Sequence, residues 1–156
     1  MCQLENIKNK IMGTFDFFKS KSKNKPIEIL PLGKLMFSSE NSEYAYRGKI
    51  NFLDMEYKTE IVLPTNNRKI SEYQLTYFKE IYKNLKGILD FATKMPDSKI
   101  ELSKSRVESV LIPDKENNNY DIDAEIVITQ KDRKIIGKNI YSIILKKLEV
   151  VEIITI

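Results

Sequence analysis

The sequence predicts an α+β domain in which an antiparallel sheet packs against one long central helix. Three observations carry this. The runs Tyr44 to Phe52 and Tyr57 to Leu63 have the two-residue period of half-buried strands, and a helical stripe follows from Ser71 to Lys94. After Pro96 the apolar segments again read as strands.

At the start of the chain, Leu4, Ile7, Ile11, Phe15 and Phe18 fall at i, i+3, i+4 spacing, which predicts an N-terminal amphipathic helix. Gly13 weakens it by about 1 kcal/mol relative to alanine, so the helix needs a surface to dock on: the core, a partner protein or a membrane face. Lys19, Lys21, Lys23 and Lys25 alternate with serine and asparagine as a solvated tether. The chain is therefore expected to divide into a helix and Lys-rich tether over residues 1–25 and one α+β domain over residues 26–156.

Ile27 to Leu32 reads as a brief extended stretch held by Pro26 and Pro31, Lys34 to Phe37 as a short apolar run, and Ser38 to Ser42 as a polar turn. Tyr44, Tyr46, Gly48, Ile50 and Phe52 then share one strand face. Gly48 inside this run predicts a bulge or a close backbone approach. In the next run Tyr57, Thr59, Ile61 and Leu63 oppose Glu56, Lys58 and Glu60, and Pro64 ends it because proline cannot donate to a ladder. Together these form a three-strand meander with one packed and one wet face.

The cover for that meander is the stripe Leu75, Phe78, Ile81, Leu85, Ile88, Leu89 and Ala92. Ser71 with Gln74 makes a capping-box start, Lys94 complements the last turn, and Pro96 blocks continuation. Downstream strands are predicted over Arg106 to Ile112, Tyr120 to Gln130, Asn139 to Lys146 and Glu149 to Ile156. Asn117, Asn118 and Asn119 mark one connecting loop, and Lys131 to Lys134 mark a turn. The closing VVEIITI is apolar almost throughout and is expected inside the sheet, since an exposed edge of this composition invites aggregation.

Composition narrows the function. The chain carries 26 basic and 22 acidic residues, a net charge of +4, with the lysines scattered among acids. That distribution serves solubility and points away from nucleic acid, and no aromatic side chain is interleaved with the Lys19 to Lys25 run for base stacking. The single cysteine, Cys2, has no partner for an intrachain disulfide, and no apolar run approaches the length of a transmembrane segment. A cytoplasmic location is expected.

There is no histidine, which removes serine–histidine and cysteine–histidine nucleophile pairs, histidine metal ligands and histidine acid–base catalysis. The five glycines are isolated, so no phosphate-cradling loop is present. What remains is carboxylate chemistry. Asp121, Asp123 and Glu125 are expected on one strand face about 7 Å apart, able with Asp114 to hold a divalent cation, and the simpler reading is the solvent face of an amphipathic strand. A nuclease-like variant pairs Asp114 with Asp132 and Lys134. A metal-dependent hydrolase or nuclease is thus the alternative to a binding protein, and no cofactor is expected. Tyr44, Tyr46 and Tyr57 are the candidate partner-binding residues, because tyrosine is favoured at protein interfaces.

Leu32-Gly33-Lys34-Leu35, the run Tyr46-Arg47-Gly48-Lys49-Ile50-Asn51-Phe52 and the helix start Ile70-Ser71-Glu72 resemble a group of uncharacterised small bacterial domains. Members often look like neighbours of secreted toxin systems, and some are taken for immunity proteins. The resemblance spans roughly residues 30–95, has Phe52 where the group often has tryptophan, and carries over no functional residue. It implies a non-catalytic cytoplasmic protein-binding domain that inhibits a cognate toxin by occlusion through a sheet face or edge.

Overall fold

A computed structural model of the chain describes residues 26–29, 32–40, 43–52, 55–117, 120–131 and 138–156. The strands are β1 (Ile27–Ile29), β2 (Gly33–Glu40), β3 (Glu43–Asn51), β4 (Lys58–Pro64), β5 (Ser105–Leu111), β6 (Ala124–Lys131), β7 (Lys138–Lys146) and β8 (Glu149–Thr155). Helix α1 (Glu72–Lys94) and a single 3₁₀ turn (Leu102–Lys104) lie between β4 and β5. All eight strands join one sheet in the order of the sequence, β1 to β8.

The expected antiparallel α+β arrangement is corrected by this topology. The sheet is mixed: β4 and β5 pair in parallel, with Glu60 opposite Ser109, Ile61 opposite Val110 and Val62 opposite Leu111. The remaining neighbours pair antiparallel. Residue alternation reports which face of a strand is buried but carries no information on direction. Direction follows from the connection, because a helix that returns the chain along the sheet starts the next strand at the same end as the last. The molecule is therefore two antiparallel meanders joined at one βαβ seam.

The closing segment, expected in the sheet interior, forms β8 at the edge, beside β7 alone among the described strands. An apolar run reads as doubly buried only if both its flanks are covered, and flanking order is set by topology rather than by composition. The N-terminal amphipathic helix lies outside the described residues, and α1 is the one α-helix among those described.

Helix α1 begins where the capping box places it. The Ser71 side chain accepts from the Gln74 backbone N–H at 3.2 Å, and the Gln74 side chain accepts from Ser71 N at 3.1 Å. Its buried face is Gln74, Phe78, Ile81, Leu85, Ile88, Leu89 and Ala92, so the innermost residue of the first turn is Gln74, while Leu75 is half-buried. This face packs on a sheet core that includes Ile61, Leu63, Val110, Ile126, Ile128 and Ile143.

Two buried glutamines fix the crossover at its ends. Gln74 Nε2 donates to the carbonyls of Pro64 (2.8 Å) and Ile112 (2.9 Å), tying the helix start to the last residue of β4 and the residue after β5. At the other end, Gln130 Oε1 on β6 accepts from Glu101 N (2.6 Å), and its Nε2 donates to the Lys99 carbonyl (3.0 Å). The chain leaving α1 is thereby pinned to the sheet before β5 begins. Each glutamine bonds backbone groups at the margins of the ladders, where regular strand pairing ends.

Gly48 on β3 is the close backbone approach that the sequence allows: a Cβ there would stand 2.5 Å from the Lys34 carbonyl oxygen and 2.6 Å from Leu35 Cδ2. Only a residue without a side chain lets β2 cross β3 at this distance.

Candidate functional site

In a βαβ unit, the C-terminal ends of the parallel strands and the helix N-terminus beside them form the usual place for an anionic ligand. Here the chain fills that place itself. Glu116, from the β5–β6 connection, accepts a hydrogen bond from Tyr73 N in the first turn of α1 at 2.8 Å. Behind it, the buried Asp123 accepts from the Lys115 ammonium at 2.5 Å and from Lys147 N at 2.6 Å. Tyr73 and Tyr77 stack at 5.6 Å, and the Tyr77 hydroxyl accepts from Leu148 N at 2.9 Å. This corner ties the helix start to the β7–β8 turn.

The electrostatics follow from the contacts. Burial by itself would raise the Asp123 pKa, but the Lys115 and Lys147 hydrogen bonds outweigh it and hold the carboxyl below its ordinary value of 3.8. Burial, together with the nearby Asp123 charge, pushes the Tyr77 phenol up to about 12, although the Leu148 N–H opposes the shift, and pushes Tyr73 higher still. A carboxyl with a depressed folded-state pKa contributes stability that is full above its unfolded value and is lost as pH falls through the folded one. Below 3.8 the wild-type protein is therefore expected to lose stability more steeply than Asp123→Asn. Urea midpoints measured across that range check this, and parallel curves for the two proteins would contradict it.

The four carboxylates considered for a metal are thus dispersed into separate contacts. Asp123 is held by Lys115, the buried Asp114 accepts from Asn117 Nδ2 at 2.7 Å, and Asp121 is exposed before β6. Glu125 accepts from the Ser142 hydroxyl across the β6–β7 pair. Among the described residues no three His, Cys, Asp or Glu side chains gather where they could hold a metal ion. Asp132 and Lys134 of the nuclease-like pattern lie outside the described residues.

The three candidate tyrosines do not form one patch. Tyr44 is exposed and stacks on Phe37 at 5.8 Å, whereas Tyr46 is buried with its hydroxyl donating to the Arg68 carbonyl at 2.8 Å. Tyr57 lies beyond the far end of the β3–β4 ladder, about 20 Å along the strands from the partner of Tyr46, Leu63. Its hydroxyl accepts from Val107 N at 3.0 Å, and Arg106 stands over its ring at 4.9 Å.

Two features with binding capacity emerge instead. The first is the β8 edge. Ile156 N donates to the Ile140 carbonyl at 2.9 Å, so the antiparallel alternation turns the backbone of Ile154 toward β7 and that of Ile153 and Thr155 outward. Val151 and Ile154 are exposed large apolar residues on this strand, as is Ile156 just past it. β8 contains neither lysine nor proline, the residues that usually protect an edge, although a register shift between Ile144 and Leu145 bends the ladder near Val151.

The second is a cavity of about 500 Å³ at the opposite end of the βαβ seam from the Gln74 clamp. The parallel pairing of β4 and β5 covers only Glu60 to Val62, and below it the strands are stitched by side chains: Tyr57 to Val107 N, and Thr59 Oγ1 to the Val107 carbonyl at 3.1 Å. The space opens there, lined by residues of α1 and of the sheet. Phe52, Leu85, Leu89, Val107 and Ile128 wall the space, with Lys83 and Lys86 at its rim. Sequence reasoning missed this cavity because its walls come from four separated segments; Met55 and Tyr57, apolar and aromatic residues within the β3–β4 connection, were the available signal.

Together these features define a mixed α/β sheet domain whose β8 edge no further described strand pairs, with an apolar cavity beneath the helix. No family model matches the chain, and neither a curated protein nor a solved structure matches it. No helix among the described residues is long and apolar enough to cross a membrane.

Proposed function

We propose that the chain is a non-catalytic binding domain that takes an extended segment of another protein as an added strand on β8. The observation that carries this reading is the outward-facing backbone of Ile153 and Thr155 on a seven-residue edge strand flanked by exposed apolar side chains. Main-chain hydrogen bonds supply affinity in such pairing, and alternate side chains supply specificity. Glu149 and Glu152 are the charged residues of the strand, so a partner strand with basic residues among apolar ones is the best match. The absence of histidine favours holding over catalysis, and the single cysteine favours a reducing, cytoplasmic compartment. The resemblance to immunity-like domains makes an intracellular toxin the natural partner.

The test uses the tagged full chain as bait in its native host, beside Thr155→Pro. Proline at an outward-facing edge position removes one free donor and leaves the β7–β8 ladder intact. Wild type is expected to recover a stoichiometric protein, and the variant at least about tenfold less with an unchanged thermal midpoint. A recovered protein that arrests growth when expressed alone identifies a toxin. Recovery of no partner, or equal recovery by the variant, overturns the reading.

A further inference from the structure

We propose that the cavity beneath α1 is a binding site for a medium-chain fatty-acid anion, its acyl chain lying between helix and sheet and its carboxylate at Lys86. This site is separate from the β8 edge. A volume of about 500 Å³ falls within the range of roughly 300 to 1,000 Å³ typical of small-molecule sites.

The chemistry of the ligand follows from what the walls offer. Phe52, Leu85, Leu89, Val107 and Ile128 are all buried apolar residues and supply no hydrogen bond to an incoming group. Polar side chains in the lining are few beside this wall: the Tyr57 hydroxyl already accepts from Val107 N, Ser105 Oγ already donates to the Glu101 carbonyl at 2.7 Å, and Tyr82 adds a second phenol. A sugar, nucleotide or peptide would bury polar groups there without partners, at a cost of roughly 1–3 kcal/mol each. An alkyl chain carries no such cost and gains by leaving water.

The head group is chosen at the rim. Lys83 and Lys86 lie on the exposed side of α1, and Asp90 is the acidic residue among the described lining. Lys83 is held by Glu80 at 3.2 Å, whereas Lys86 has no ion-pair partner among the described residues. Lys86 is therefore the cation left to receive a negative head group, beside the single acid Asp90, and a carboxylate on a flexible stem reaches it while its chain stays inside.

The test is a titration of the full chain with sodium decanoate, followed by amide chemical shifts, with decyltrimethylammonium as the oppositely charged probe of equal chain. Decanoate is expected to saturate at one equivalent and to shift residues around Phe52, Leu89 and Val107. Lys86→Glu, an exposed substitution, is expected to weaken decanoate at least about tenfold and to improve binding of the cationic probe. Leu102→Trp, which adds bulk to the half-buried lining residue on the 3₁₀ turn, is expected to weaken both. Absence of saturable binding, shifts centred on β8 or on the opposite sheet face, or indifference to Lys86→Glu would each overturn the proposal.

Discussion

Replacing Gln74 by leucine is expected to destabilise the protein by about 3 kcal/mol or more, although leucine fits the volume and suits a buried helix face. The side chain is fully buried and makes three bonds that nothing else replaces: to the carbonyls of Pro64 and Ile112 through Nε2, and from Ser71 N through Oε1. The substitution leaves two carbonyls and one N–H in a dry seam, each costing roughly 1–3 kcal/mol, partly offset by apolar burial. Gln74→Glu separates the roles, since it keeps the cap acceptor and sets a carboxylate against two carbonyl oxygens. It is expected to be at least as damaging as leucine. Urea unfolding measures both, and a leucine variant within about 1 kcal/mol of wild type would show that the clamp contributes little.

Gly48→Ala is expected to cost about 2 kcal/mol or more, a large effect for one methyl group. Its Cβ would meet the Lys34 carbonyl oxygen at 2.5 Å, and that backbone atom cannot turn aside as a side chain can. Relief requires β2 to move off β3, which disturbs Leu35, a fully buried core residue also paired with Ile27 of β1. Gly87, on the exposed side of α1, is the control. A Cβ there meets nothing within 4 Å, so Gly87→Ala is expected to stabilise by up to about 1 kcal/mol through helix propensity. Similar losses at both positions would contradict the crowding at Gly48.

These two residues mark how far the sequence could be read. The capping pair Ser71 and Gln74 located the helix to the residue, because its signal is local and has a fixed spacing. Gly48 likewise announced a close approach, though not which strand approaches. The second role of Gln74 was hidden, since its two carbonyl partners lie 10 and 38 residues away, at the ends of strands whose adjacency no local pattern encodes. The parallel seam was hidden for the same reason, and with it the cavity that opens below it. Asp121, Asp123 and Glu125 were read as one strand face, yet β6 starts only at Ala124 and Lys115 takes Asp123 into a corner with Tyr73 and Tyr77. The apolar character of β8 was plain in the sequence. Its position at the edge was not, and that position gives the strand its functional interest.

If β8 receives a partner strand, the purified protein must keep that edge open. Amide hydrogen exchange of the full chain at low concentration is the most direct measurement. The expected pattern is alternation: slow exchange at Ile154, whose N–H faces β7, and fast exchange at Ile153 and Thr155, whose N–H groups face outward. Uniform protection across Ile153, Ile154 and Thr155 would mean that the edge is already covered, and would contradict the central claim.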